Sequence, residues 1–319
     1  MSAAEHFHSL INIDSYNQAN VVLGLSSYDS YTDEFNFRSL NITPDLAGEF
    51  TLLTTSYLKK YFKLNEEGNL RLIEFTGGYK PDSHEVEWIN QGNEAMEMVC
   101  DIPNQDEIEL IDLDDTNFFT NLRFYFITIN YNGLIITFFR KYGRSKELLH
   151  SKNIFVRLCG DRYERLTEPT FQFDDKFDAV IINGYLYSFN KSNFQYIFRF
   201  YELLRSSARS SLATISTLVP IANFTAFENS CFGHLQKLAK LRNIANRPYL
   251  QSMTMDKIRI VISQFNLQVS IIEENGQQKL VYDENDKWAI LNLLDDAYLS
   301  SHLTGLDYEA NSKRELQHV

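Results

Sequence analysis

No stretch of this sequence reaches the run of about eighteen apolar residues that a membrane-spanning helix needs, so no spanning segment is expected. The opening residues, MSAAEHFHSL, have neither a basic cluster nor an apolar core and do not read as a secretory signal. Cysteine is scarce. Cys100, Cys159 and Cys231 are odd in number and far apart, which argues against a disulfide framework and offers no metal-ligand spacing. A reduced, cytoplasmic protein is the expectation. His6 and His8 stand at the terminus and His84, His150, His234, His302 and His318 are dispersed, so no zinc pattern forms. The 13 glycines make neither a phosphate loop nor a dinucleotide fingerprint. No Gly-x-Ser-x-Gly elbow is present. No cofactor, no metal and no catalytic residue is therefore assigned.

What is present is length, aromatic bulk and an uneven charge. A chain of 319 residues can bury a substantial core and suggests two domains. Its 24 Phe and 18 Tyr suit a folded protein rich in strands. The formal net charge of −12 lies wholly in residues 1–150, which hold 11 Lys and Arg against 23 Asp and Glu. The rest is neutral but contains basic stretches. Residues 199–259 carry Arg199, Arg205, Arg209, Lys237, Lys240, Arg242, Arg247, Lys257 and Arg259 against Glu202, Glu228 and Asp256. Residues 140–165 hold eight cations and three carboxylates. Local potential governs attraction of a polyanion, so the acidic whole does not exclude nucleic acid.

Along the chain, residues 21–25 read as a strand. Residues 45–63 read as a helix behind Pro44, with Leu46, Phe50, Leu53, Tyr57, Leu58 and Tyr61 as its apolar stripe. A strand follows at 70–75, then an acidic region of short strands and loops over 85–115. Arg123 to Tyr142 is two β-rich runs joined by Asn132-Gly133, the pair best suited to a tight hairpin turn. Asn183-Gly184 and Asn275-Gly276 repeat the device. The fold class expected is α+β, with antiparallel sheets built from Asn-Gly hairpins in both domains and several helices packed on the second sheet. The boundary falls between Gly143 and Pro169, giving domains 1–150 and 151–319. Ser192 to Val219 reads as one long helix capped by Ser192 and stopped by Pro220. A second helix is expected over 230–246, a third over 255–265, and a last one from Trp288.

A metal-dependent nuclease would need carboxylates on neighbouring strands with a lysine beside them. Asp82, Glu85 and Glu87 lack the lysine. Asp174, Asp175 and Asp178 read as solvated strand-edge charges, and Asp112, Asp114 and Asp115 as a polar loop. The basic helices are the better signal. Cations on one helix face, with Ser and Asn between them, can hold successive phosphates without reading sequence. Projection at 3.6 residues per turn puts Lys237, Lys240 and Arg247 on one side. Arg199, Arg209, Lys237, Lys240, Arg242 and Arg247 are the candidate phosphate contacts. An ordinary solvated helix face is the competing reading.

The C-terminal stretch 288–316 begins amphipathic, with Trp288, Leu291, Leu294, Ala297 and Tyr298 at helical spacing, and is expected to dock as a helix pair. Asp295 and Asp296 read as polar-face or capping residues, and Ser301 and Thr304 as caps. Packed against the basic helices, Asp295, Asp296, Thr304, Tyr308 and Lys313 would order that surface. Asp-Asp-x-Tyr-Leu, then Ser-x-Leu-Thr-Gly, then Tyr-Glu-Ala-x-Ser-Lys resembles the KwaB family, the soluble components of Kiwa anti-phage defence. Upstream, FDAVIINGYLYSFNKSNFQYIF from Phe177 resembles that family's hairpin-plus-helix opening, so the likeness covers roughly the second half. It implies an effector that binds double-stranded DNA and acts beside a KwaA-like multi-spanning membrane protein, recruited to the inner face of the membrane. The acidic first half would serve assembly, as a homo-oligomer or with that partner. A nuclease with scattered carboxylates, and a structural subunit that binds no DNA, remain the alternatives.

Overall fold

The computed structural model describes residues 5, 7, 20–75, 81–90, 96, 99, 102, 107–131, 133–142, 156–165 and 170–310. The chain is α+β and gathers into two compact units, one of residues 1–74 and 81–198, the other of 75–80 and 199–319. The boundary expected near residue 150 therefore falls inside the first unit. The reason is strand pairing: the hairpin at 179–188 completes the first sheet.

The first unit is built on an eight-stranded sheet. Its strands are β1 (Asn20–Asp29), β2 (Glu34–Leu40), β3 (Arg71–Glu74), β4 (Glu85–Asn90), β5 (Leu122–Tyr131), β6 (Leu134–Lys141), β9 (Ala179–Ile182) and β10 (Tyr185–Ser188), in the order β2-β1-β5-β6-β9-β10-β4-β3. All neighbours are antiparallel except β3 and β4. A separate hairpin, β7 (Val156–Cys159) with β8 (Arg162–Arg165), pairs only with itself among the described strands. Between β9 and β10 the turn is Asn183-Gly184, both at positive φ, the conformation that matches strand twist. Asn132 lies outside the described residues, but Tyr131 pairs with Leu134 across Gly133 at φ 83°.

Both faces of this sheet are covered, which explains apolar runs where one-sided strands would alternate. On one face Leu23, Leu25, Tyr125, Ile127, Phe138 and Val180 pack with Phe50 and Leu58 of α1 (Pro44–Glu66). A short helix, α2 (Thr116–Thr120), adds Phe118 and Phe119 behind the Asp115 cap. The other face is aromatic: Phe124 and Phe139 meet Phe198, which stacks edge-on with Phe194 of α3 (Lys191–Ile197). Gly24 stands opposite Phe126 in register, and a Cβ there would lie 2.1 Å from the ring. Only glycine lets the ring lie over the strand.

The expected long helix over 192–219 is two. Asn190, not Ser192, caps α3 by accepting the Asn193 N–H at 3.1 Å. Arg199 then takes a left-handed φ of 54°, and α4 (Phe200–Leu218) starts afresh in the second unit. Phe194 and Phe198 belong to the aromatic layer of the first sheet, whereas Leu204, Ala208, Leu212 and Ile215 belong to the second core, so one apolar stripe serves two cores.

The second unit contains a three-stranded sheet, β11 (Ile221–Ala222), β13 (Gln277–Val281) and β12 (Ile271–Glu274), the last two joined by Asn275-Gly276 at positive φ. Its helices are α4, α5 (Phe224–Phe232), α6 (Leu235–Ala245), α7 (Met255–Gln264) and α8 (Ala289–Leu294). The helix expected over 230–246 starts only after Gly233, with α5 ahead of it. The C-terminal helix pair is instead the six-residue α8 followed by a hairpin, β14 (Tyr298–Ser300) with β15 (Asp307–Glu309).

Deep in the first unit Glu87, fully buried on β4, receives the Lys191 ammonium at 2.8 Å. Among the described residues its second oxygen finds no hydrogen-bond partner, nor does the hydroxyl of Ser188, its cross-strand neighbour. Burial pushes the Glu87 carboxyl up despite the lysine. The folded protein thus holds this proton more tightly than the unfolded chain. The resulting stability is complete below the ordinary carboxylate value of 4.5 and is lost as pH rises through the raised one. Thermal melts across pH 4–8 should show that decline, and Glu87→Gln should flatten it. Lys191→Ala alone should cost roughly 3–5 kcal/mol, whereas Glu87→Leu with Lys191→Met should cost little or nothing.

Candidate functional site

Helix α6 is buried on nearly every side, because Leu238, Ala239, Leu241 and Ile244 are all core residues. It lies between α4 and the segment that carries α8. Of the side that projection marks as basic, Lys237 and Lys240 do share one face of α6, whereas Arg247 lies past the end of the helix. That side faces residues 287–295 rather than water.

Lys237 is 0% exposed. Its ammonium donates to the Lys287 carbonyl at 2.8 Å and to Ser230 Oγ at 3.3 Å, and lies 5.1 Å from the Trp288 ring centre. Burial lowers its pKa, with the neighbouring Cys231 thiol opposing the shift. In this structure the Lys237 ammonium is thus turned inward, away from the surface of the expected phosphate contact. Lys240 donates to Asn292 Oδ1 at 2.8 Å and pairs with Asp295 at 3.0 Å, the two charged side chains 11% and 13% exposed. Asn292 passes the connection on, donating to Glu309 Oε1 at 2.7 Å. Tyr249 donates to the Leu294 carbonyl at 2.9 Å, and burial pushes its hydroxyl up to about 12, so it stays a donor at neutral pH.

Asp296 ends α8. It adopts φ 55° while its N–H bonds the Leu293 carbonyl at 3.1 Å and the Ala297 N–H bonds the Asn292 carbonyl at 2.9 Å. This is the paired-bond stop that glycine usually makes. Thr304 and Tyr308 face each other at 3.5 Å in the hairpin, and Ser301 Oγ accepts the Thr304 N–H. Lys313 lies outside the described residues.

The remaining candidate cations separate by exposure. Arg199 is half-buried beside Glu202 at 3.1 Å. Arg242 and Arg247 are half-buried. Arg209 is exposed on α4, and Arg205, four residues earlier on the same side, is exposed with it. Neither makes an ion pair with a described residue. The i, i+4 spacing of Arg205 and Arg209 is readable in the sequence. The roles of Asn292, Glu309 and Tyr249 are not, because each depends on a partner far along the chain.

Three of the carboxylates considered for metal chemistry are otherwise engaged. Asp178, expected as a solvated edge charge, is fully buried: it binds Arg140 at 2.7 Å and accepts the Lys141 N–H at 2.7 Å. Asp174 holds the same guanidinium at 2.8 Å. A strand-edge carboxylate sinks here because Arg140 is carried beside it by the β6–β9 pairing. Glu87 acquires the lysine that its sequence neighbourhood lacked, but in a sealed pair. Among the described residues no group of three His, Cys, Asp or Glu could hold a metal ion. A cleft of about 660 Å³ in the first unit, between β1, β2 and α1, is lined by residues such as Asn20, Ser39, Asn41 and Thr51, none of them ionisable.

The family profile described as Kiwa protein KwaB-like matches residues 119–304. The chain belongs to that family. It is therefore a component of Kiwa anti-phage defence. Comparison with curated proteins and with solved structures returns no match. No described helix is long and apolar enough to cross a membrane.

Because Lys240 and Asp295 are nearly enclosed, Lys240→Ala should cost about 3 kcal/mol by stranding Asp295, a loss read in urea titration. Lys237→Met, which keeps the apolar stem, should cost only about 1–2 kcal/mol. Asp296→Gly should raise stability by about 1 kcal/mol by removing the left-handed strain.

Proposed function

We propose that this KwaB-like protein is the DNA-engaging subunit of its defence system. It binds double-stranded DNA through phosphates, without sequence preference, and obstructs replication or transcription of phage DNA without cutting it. It works as a homo-oligomer beside a KwaA-like multi-spanning partner that recruits it to the inner face of the membrane. The acidic first 150 residues serve that assembly, since their charge disfavours a polyanion.

The observation that carries the reading is the open face of α4. Arg205 and Arg209 stand exposed one turn apart on the same side of the helix. No carboxylate intervenes between Glu202 and Glu228. Arg242 and Arg247 are the second rank of contacts. Lys237 and Lys240 act indirectly, by holding the helices in place.

A labelled 30-base-pair duplex titrated across a salt series tests this. Affinity should fall steeply with salt, and Arg205→Gln with Arg209→Gln should reduce the logarithmic slope by about two, roughly 0.9 per lost phosphate contact. Absence of duplex binding, or an unchanged slope, would defeat the reading. Incubation of the same duplex with Mg2+ or Mn2+ should leave it intact, and a shortened product would put a nuclease in its place.

A further inference from the structure

The hairpin β14–β15 is anchored on one face and bare on the other. Its inner face carries Tyr298, packed 5.8 Å from the Phe265 ring, and Glu309, held by Asn292. The Ala310 N–H bonds the Ala297 carbonyl at 2.7 Å and closes the base. Ser300 donates to Asp307 at 2.6 Å across the strands. The loop is cross-braced by Ser301, whose carbonyl accepts the Gly305 N–H at 2.8 Å.

Alternation along a strand sends Leu299 and its cross-strand partner Tyr308 to the opposite face. These are 41% and 49% exposed, and the loop adds Leu303 at 94% and Leu306 at 58%. Four large apolar side chains thus stand in water within ten residues, on an element that a partly buried polar network holds in place. A patch of this kind on an otherwise soluble surface marks an interaction site. Neither strand pairs with any other described strand, so both edges are available for main-chain hydrogen bonds as well.

Charge selects the occupant. With Asp295 paired to Lys240, residues 296–310 still expose Asp296, Asp307 and Glu309 and carry no Lys or Arg. A two-fold pairing of two copies would bring these carboxylates together. An anionic leaflet would be repelled by them. We infer that this hairpin is a docking surface for an extended protein segment of alternating apolar and basic residues. Its leucines fill the partner's apolar side, and the rim at Asp296 and Asp307 meets the partner's cations. The surface is separate from the α4 face and does not depend on DNA binding.

A fluorescein-labelled ten-residue peptide of alternating Lys and Leu, with its Glu-Leu counterpart, tests this by anisotropy on the full chain. The Lys-Leu peptide should bind about tenfold or more tightly than the Glu-Leu one, and Leu303→Ser with Leu306→Ser should remove about tenfold of that affinity. Asp296→Asn with Asp307→Asn should narrow the difference between peptides and keep the fold. No Lys-Leu binding, equal affinity for both peptides, or affinity unchanged by the serine pair would overturn the assignment. So would a self-association, seen in sedimentation, or a flotation with phosphatidylglycerol vesicles, that the serine pair abolishes. The first would make a second copy the occupant and the second a lipid surface.

Discussion

Lys240 is where the second unit is tied together. Its ammonium leaves α6 to meet Asp295 and Asn292, and Asn292 in turn holds Glu309 on the terminal hairpin. Four polar groups from three elements bond one another at the edge of the apolar cluster, with Asn292 buried, Lys240 and Asp295 nearly enclosed and Glu309 at the surface. Enclosing Lys240, Asp295 and Asn292 is costly unless each is paired, so their geometry is strongly constrained. The short α8, its left-handed stop at Asp296 and the hairpin beyond follow from placing Asp295 under Lys240 and Glu309 beside Asn292.

That constraint explains which parts of the molecule were legible in the sequence. The helix over 44–66, the hairpin spanning 122–141 and the strands around Asn183-Gly184 and Asn275-Gly276 rest on local periodicity and turn chemistry, and their places follow from neighbouring residues alone. The break at Arg199 was not legible, because the apolar stripe runs unbroken through it while the cores it serves change. Nor was the hairpin after Asp296, since Ala297 and Tyr298 continue the helical spacing of Trp288 and Leu291 although the helix has already ended. The candidate site was legible in the same partial way. Helical projection placed Lys237 and Lys240 on one side of α6, and a charged side ordinarily faces solvent. Here its counter-charges lie some fifty residues on, so the side faces inward.

The second unit thereby separates two uses of positive charge. Lys237 and Lys240 are internal fasteners that set how α6 meets the C-terminal segment. Arg205 and Arg209 stand exposed on α4, with Glu202 the one carboxylate of that helix and no ion pair formed by either arginine with a described residue. Helix α4 packs along α6, so the fasteners support the face that the arginines present. The hairpin, held by the same network, turns an acidic and apolar surface outward. A polyanion and a basic protein segment would be drawn to different places on one unit.

Chemical footprinting by mass spectrometry, free and on duplex DNA, tests this division most directly. Lysines would be acylated and arginines modified with a dicarbonyl reagent in the native protein. The result expected is that Arg205 and Arg209 react in the free protein and are protected by duplex, while Lys237 and Lys240 stay unreactive in both states. Lys237 and Lys240 reacting in the free protein and becoming protected on DNA, with Arg205 and Arg209 indifferent to it, would contradict the account.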